Sequence, residues 1–220
     1  MLSNGIHIGR RGGVRLTGGG GETPWWLAGG ISAGNVVAAY QPKGAASLAA
    51  SYVNLANPGT NNAAPGVAPT WATGTGWTFN GSTQWLNTGI QGSVAVLDGT
   101  LIVRYANAAL GGYNVIAGLS TVANTHNKFV AAASDGQLEF GHKSARTKFG
   151  TESAAGVLAV TNGRAYQNGV DLGAISIGAW STSGNTLRIG GTVQPLFYTG
   201  DVIAMAVITA SLTAGQVAAL

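Results

Sequence analysis

Acidic side chains are the first place to look for chemistry in this sequence. They are Glu22, Asp98, Asp135, Glu139, Glu152, Asp171 and Asp201. Retaining glycoside hydrolysis needs two carboxyl groups about 5–5.5 Å apart. On one strand that means acidic residues two positions apart, on the same face. No two are so placed. Asp135 and Glu139 come nearest, the first in a predicted hairpin turn and the second a solvated charge on the strand after it. A pair assembled from different strands stays open at this level.

Other chemical patterns resolve into chance. Gly30-Ile31-Ser32-Ala33-Gly34 has the form of a nucleophile elbow, but that motif works only on a strand-to-helix turn of an α/β sheet. No alternation of strands and helices surrounds it, and the chain holds 36 glycines. His7, His126 and His142 lie far apart without an acidic residue at ligand spacing, so zinc is not expected. His142 is expected on a strand surface. The Gly18–Gly21 run has no preceding strand and no following Lys-Ser/Thr, which excludes a phosphate loop. Cysteine is absent, so disulfides and thiolate metal sites are excluded.

Aromatic residues offer binding in place of catalysis. The tryptophans are Trp25, Trp26, Trp71, Trp77, Trp85 and Trp180. Indole faces stack on sugars and are enriched at protein interfaces. Trp77 and Trp85, flanking a turn, are expected in the core. Trp71 and Trp180 are the candidates for glycan contact, and Trp25-Trp26 for an anchor that docks the N-terminal segment.

The elements that must position these residues read as all-β. Asn-Gly and Asp-Gly favour two-residue hairpins because both central residues need positive φ. Such pairs stand at Asn80-Gly81, Asp98-Gly99, Asp135-Gly136, Asn162-Gly163 and Asn168-Gly169. Thr100 to Tyr105 alternates, with Leu101, Val103 and Tyr105 on one face and Arg104 on the other. Leu138-Glu139-Phe140 and Leu187-Arg188-Ile189 alternate likewise. Val202 to Ile208 is apolar on both faces, as in a central strand. Residues 56–76 read as a long loop. The one helix signal is the capping-box pair Thr213 and Gln216, predicting a short C-terminal helix.

Residues 1–24 form a separate region. Gly12-Gly13 and Gly18–Gly21 cannot build a core. Arg10, Arg11 and Arg15 against Glu22 leave it at +2, half of the net +4. It is expected to be an extended arm lying on a neighbour, with Arg10, Arg11, Arg15, Trp25 and Trp26 as its contacts. Residues 25–220 then make one sandwich domain. Only 8% of the 220 residues are charged, against about 25% in soluble domains. A surface so poor in charge suits faces covered by neighbours. No basic stripe supports nucleic-acid binding, and Val202 to Ile208 is far too short to span a membrane. No targeting segment is expected either, since the N-terminus lacks the apolar stretch of a signal peptide.

Three segments carry a family resemblance. Tyr166-Gln167-Asn168-Gly169 resembles the aromatic-x-Asn-Gly hairpin of concanavalin A-like/laminin G-like domains. Trp77-Thr78-Phe79-Asn80-Gly81, running on to Trp85-Leu86, is similar to an early hairpin of that superfamily. Gly200-Asp201-Val202-Ile203 and Leu212-Thr213 to Leu220 resemble its closing strand and tail. The resemblance implies a two-sheet antiparallel jelly-roll sandwich. Charge-poor chains with a Gly-rich leader resemble the laminin G-like structural proteins of tailed bacteriophages. That implies a non-enzymatic virion protein, a capsid-decoration or tail-associated subunit assembled in the host cytoplasm. Its partners would be other virion proteins in a homo-oligomer, a trimer among the options. The alternative is a carbohydrate-binding adhesin recognising host-surface glycans. The superfamily also hosts glycoside hydrolases, but their Glu-x-Asp-x-x-Glu pattern is missing here. Some relatives bind calcium through loop aspartates. Asp98, Asp171 and Asp201 could contribute, but without an acidic cluster such a site would be weak, and no other cofactor is expected.

Overall fold

The computed structural model describes residues 23–120, 126–132, 135–143, 145–179, 185–192 and 196–220. In chain order the strands begin β1 Val36–Tyr40, β2 Ala64–Val67, β3 Thr70–Ala72, β4 Gly76–Asn80 and β5 Trp85–Gln91. The next are β6 Thr100–Ala106, β7 Asn114–Ser120, β8 His126–Ala132, β9 Leu138–His142 and β10 Ala145–Phe149. The last are β11 Gly156–Val160, β12 Arg164–Gln167, β13 Val170–Ala174, β14 Thr186–Ile189 and β15 Thr199–Ile208. All pairings among the described residues are antiparallel, and they make two packed sheets. One, eight-stranded, runs β13-β12-β11-β6-β15-β4-β3, with β1 also on β15. The other, seven-stranded, runs β10-β9-β8-β7-β14-β5-β2. The expected two-sheet sandwich is therefore the fold.

Alternation along each strand sets what faces what. Successive residues point to opposite faces, and residues paired across strands share one. In the seven-stranded sheet the row Phe140, Val130, Ala117, Ile189 and Leu86 is paired strand to strand and faces the other sheet. In the eight-stranded sheet the row Tyr40, Met205, Val103 and Leu158 does the same. These rows form the central core with Trp77, Phe79 and Tyr198, all essentially solvent-free. The strand expected to be apolar on both faces is β15, and its second apolar face is covered. Ala39, Ala206, Ile102, Ala159 and Tyr166 make the outward row there. Residues 25–31 and helix α3 (Ala214–Ala218) pack over that row with Leu212, Val217 and Leu220.

The turn signals lead to different structures. Asn168-Gly169 is the two-residue hairpin between β12 and β13, with φ of 52° and 77°. Asn162-Gly163 and Asp135-Gly136 sit in longer hairpin loops. Asn80-Gly81 does not make a hairpin, because β4 and β5 lie in different sheets. The Asn80 Oδ1 accepts from the amides of Ser82, Thr83 and Gln84, and so shapes a corner between the layers. Asp98-Gly99 is likewise no hairpin: Asp98 ends the short helix α2 (Val94–Asp98). Residues 56–76 are not one loop. They hold β2 and β3, edge strands of the two sheets: β2 is exposed throughout and contains Pro65, and β3 is too short to show a pattern. The α3 capping box is present as expected, with Thr213 and Gln216 each accepting from the other's backbone. Two short helices carry no strong sequence signal: α1 (Leu48–Ser51), capped by Ser47, and α2, capped by Ser93.

Candidate functional site

The second outward face belongs to the seven-stranded sheet, and nothing apolar of comparable size covers it among the described residues. One continuous row of paired residues crosses it: Arg146, Gly141, Phe129, Gly118, Arg188 and Asn87. Four strand spacings separate the two arginines, roughly 19 Å. Between them Gly141 and Gly118 contribute no side chain. The Phe129 ring packs against Gly141, where any Cβ would collide with it. Among the described residues only Val115, Phe129 and Ala131, flanked by Tyr113 and Leu196, form a small apolar patch here, and all three are buried.

At one end of the row stands a charged cluster. Glu139 on β9 is 3% exposed. Its Oε1 accepts a 2.8 Å bond from the Tyr113 hydroxyl and lies 3.5 Å from Arg146 Nη1. The same nitrogen approaches the Tyr113 oxygen at 3.3 Å. Burial pushes the Tyr113 hydroxyl well above its ordinary pKa, and its bond to the Glu139 carboxylate adds to the rise. Beside it Lys148 pairs with Asp135 at 2.6 Å. Glu139 is therefore not the solvated strand charge expected, because Tyr113 folds over it from the start of β7.

At the other end the Arg188 guanidinium stacks 3.7 Å from the centre of the Trp85 ring. The Trp85 ring also rests on Gly66 of β2, where any Cβ would collide with it. Arg188 Nη1 donates to the Thr192 carbonyl at 3.0 Å, and burial lowers the Arg188 pKa. Trp85 is thus an outward residue, contrary to the core position expected for it; Trp77 does lie in the core. The reason is register: Leu86 takes the inward place and puts its neighbour outside.

The remaining candidates are dispersed. Trp71 is half-buried on β3, and its Nε1 donates to the Pro42 carbonyl at 2.9 Å. Trp180 lies outside the described residues, as do Arg10, Arg11, Arg15, Glu22 and His7. Trp25 and Trp26 pack half-buried on the chain's own eight-stranded sheet, with Arg104 4.7 Å from the Trp25 ring centre. His142 is fully buried, not on a strand surface, and sits 3.8 Å from Asp98. Inward alternation from Phe140 puts it there. The Gly30–Gly34 segment forms 3-10 turns leading into β1, so no elbow exists.

Each described carboxylate has its own partner. Asp98 pairs with Lys143, Asp171 with Arg164, Asp201 accepts from Thr78 and Asn107, and Glu152 accepts from the Gly111 amide. Asp98, Asp171 and Asp201 therefore do not share a calcium site, and no three His, Asp or Glu side chains converge among the described residues. A depression of about 290 Å³ lies between 41–46 and 50–55. The Ser51 hydroxyl at its wall is already committed, donating to the Leu48 carbonyl and accepting from Trp77 Nε1.

The outer-face residues were half visible in the sequence. Alternation marked Glu139 and Arg188 as outward, but not that their strands share a sheet.

Fold and site together define an antiparallel β-sandwich with one outer face sealed by apolar segments of its own chain, and the other carrying half-buried Tyr113, Trp85, Asn87 and Arg188 around a buried Val115–Phe129–Ala131 patch. No family model matches the chain, and no curated protein matches it in sequence. Among solved structures it is similar to Trypanosoma rangeli sialidase in complex with sialic acid, at a TM-score of 0.62 and 14% identity. That match covers 85% of this chain and 32% of the sialidase. It is also similar to the binding domain of botulinum neurotoxin serotype D, with a TM-score of 0.58 and 11% identity, covering 84% of this chain and 51% of that one. The chain thus spans about a third of the sialidase's length. At such identities the likeness shows the fold alone.

Proposed function

We propose that this chain is a non-catalytic carbohydrate-binding module that takes its ligand on the open face of the seven-stranded sheet. The observation that carries this is the row from Arg146 to Asn87, which sets two arginines roughly 19 Å apart on either side of the buried Phe129. Sugars are held by convergent polar groups beside aromatic or apolar surface. Tyr113, Arg146, Arg188, Asn87 and Trp85 supply both. The sialidase of this fold is held with sialic acid, and sugar recognition is what we carry over from it. Hydrolysis is not carried over, because the chain spans a third of that enzyme and the described carboxylates are tied to separate partners.

A glycan array with the isolated chain tests the reading. At least one glycan class is expected to bind, and Arg146→Gln should weaken that binding about tenfold, or about 1.4 kcal/mol. Absence of binding to every glycan at high protein concentration would overturn it.

The low charge content, 8%, favours a second reading, a subunit built into a larger particle such as a phage virion. Residues 1–24 would grip the neighbour, in a homo-oligomer. A particle that incorporates a chain lacking residues 1–24 as well as the full chain would rule out the arm.

A further inference from the structure

The basic side chains of the open face differ in how they are neutralised. Arg146 faces Glu139, and Lys148 faces Asp135. Arg188 has no such partner: no carboxylate among the described residues lies within ion-pair distance of it. A half-buried cation without a counter-charge is costly. Among the described residues Arg104 is unpaired too, but it lies beneath the apolar segments that seal the other sheet, whereas Arg188 has a polar cross-strand neighbour.

Geometry prepares Arg188 to receive a counter-charge. Trp85 fixes the plane of the guanidinium from one side. The Thr192 carbonyl takes a single N–H, while a guanidinium carries five. Asn87 is its direct cross-strand neighbour on β5. The Asn87 Oδ1 accepts from the Gly89 amide at 2.9 Å and from the Thr186 hydroxyl at 2.5 Å. Those two bonds fix which end of the carboxamide is oxygen. They leave Nδ2 as a donor with no acceptor among the described residues. On the other side of Arg188 stands Gly118, which presents no side chain to compete for the guanidinium.

Donors without acceptors, around a cation without an anion, define the missing ligand. We infer that Arg188 and Asn87, braced by Trp85 and Thr186, form an anion subsite that takes the carboxylate of an acidic sugar. A planar guanidinium fork matches a planar carboxylate in two parallel bonds, and the Asn87 amide can serve the same group or the adjoining ring oxygen. This rests on the carbohydrate reading above and names its substrate class.

The test uses pairs of glycans that differ only in charge. Sialyllactose and a glucuronic acid-terminated oligosaccharide are each titrated into the full chain beside their methyl esters, with lactose as a neutral control. At least one acid is expected to bind tenfold or more tightly than its ester, with the preference shrinking as salt rises. Arg188→Met and Asn87→Asp should each bring the ratio close to one. The first keeps an apolar stem on Trp85 and the second keeps the carboxamide's shape, so if one variant fails to fold the other still answers. Equal binding of acid and ester, or an acid preference that survives both substitutions, overturns the anion subsite and leaves the carbohydrate reading standing. Absence of binding to all of these and to a wider array overturns both.

Discussion

Among the described residues the sandwich contains two tryptophan–arginine stacks, one on each outer face, and they have opposite surroundings. Arg104 lies over Trp25 beneath the terminal segments, with its Nε and the Trp25 Nε1 both buried and lacking a hydrogen-bond partner. Arg188 lies closer over Trp85, on a face where its neighbours are Gly118, Asn87 and Thr186. Burial lowers the pKa of each arginine. The same pair of residues therefore serves two ends. Under Leu212, Val217 and Leu220 it is part of a seal that closes an apolar sheet face. On the other sheet it holds a cation in place for something outside the chain.

That contrast can be broken most forcefully from the sealed side. Ile102 is fully buried in the outward row of the eight-stranded sheet. Ile102→Ala should cost about 2–5 kcal/mol of stability by urea unfolding and leave glycan binding intact. Arg188→Met should do the reverse, shifting stability by less than about 1 kcal/mol and removing the preference for acidic glycans. If both substitutions act alike on both measurements, the faces do not have separate roles. Thr213→Ala comes next, since Thr213 caps the helix that completes the seal. It should cost about 0.5–2 kcal/mol, again without a change in binding.

A weaker effect comes from alkaline pH. Burial, first among the causes, raises the hydroxyls of Tyr40 and Tyr198 in the core and of Tyr113 on the open face above the ordinary tyrosine value. A group raised on folding stabilises fully below its unfolded pKa, about 10 for tyrosine. That contribution falls as pH climbs through and beyond this value toward the folded one. The melting temperature should therefore be insensitive to these tyrosines up to about pH 9 and decline above about pH 10. Tyr113→Phe should soften the decline slightly, while a melting temperature unchanged at about pH 11 would contradict the raised values.

The range of the forces involved decides how much of this was legible in the sequence. Periodicity marks strands whose faces differ, so β6, β9, β14 and β15 were legible. Two-residue turn chemistry is local, so Asn168-Gly169 was legible as well. Asn80-Gly81 misled because its side chain can shape a corner between sheets as readily as a hairpin within one. The edge strands β2 and β3 were invisible, β2 because an exposed edge has no buried face to impose a pattern and β3 because it is too short to show one. The open face was legible residue by residue but not as a site. Arg188 and Asn87 are far apart in the chain, and only the pairing of β14 with β5 brings them together. Glu139 looked solvated because nothing local announces that Tyr113 will cover it.

The central claim is that the open face of the seven-stranded sheet receives a glycan. Amide chemical shifts of the full chain, followed during titration with a glycan that binds on the array, test it most directly. The account predicts perturbations along 85–91, 113–118, 139–148 and 186–192, with residues 25–31 and 214–220 undisturbed. Shifts confined to the sealed face, or to the depression between 41–46 and 50–55, would contradict it.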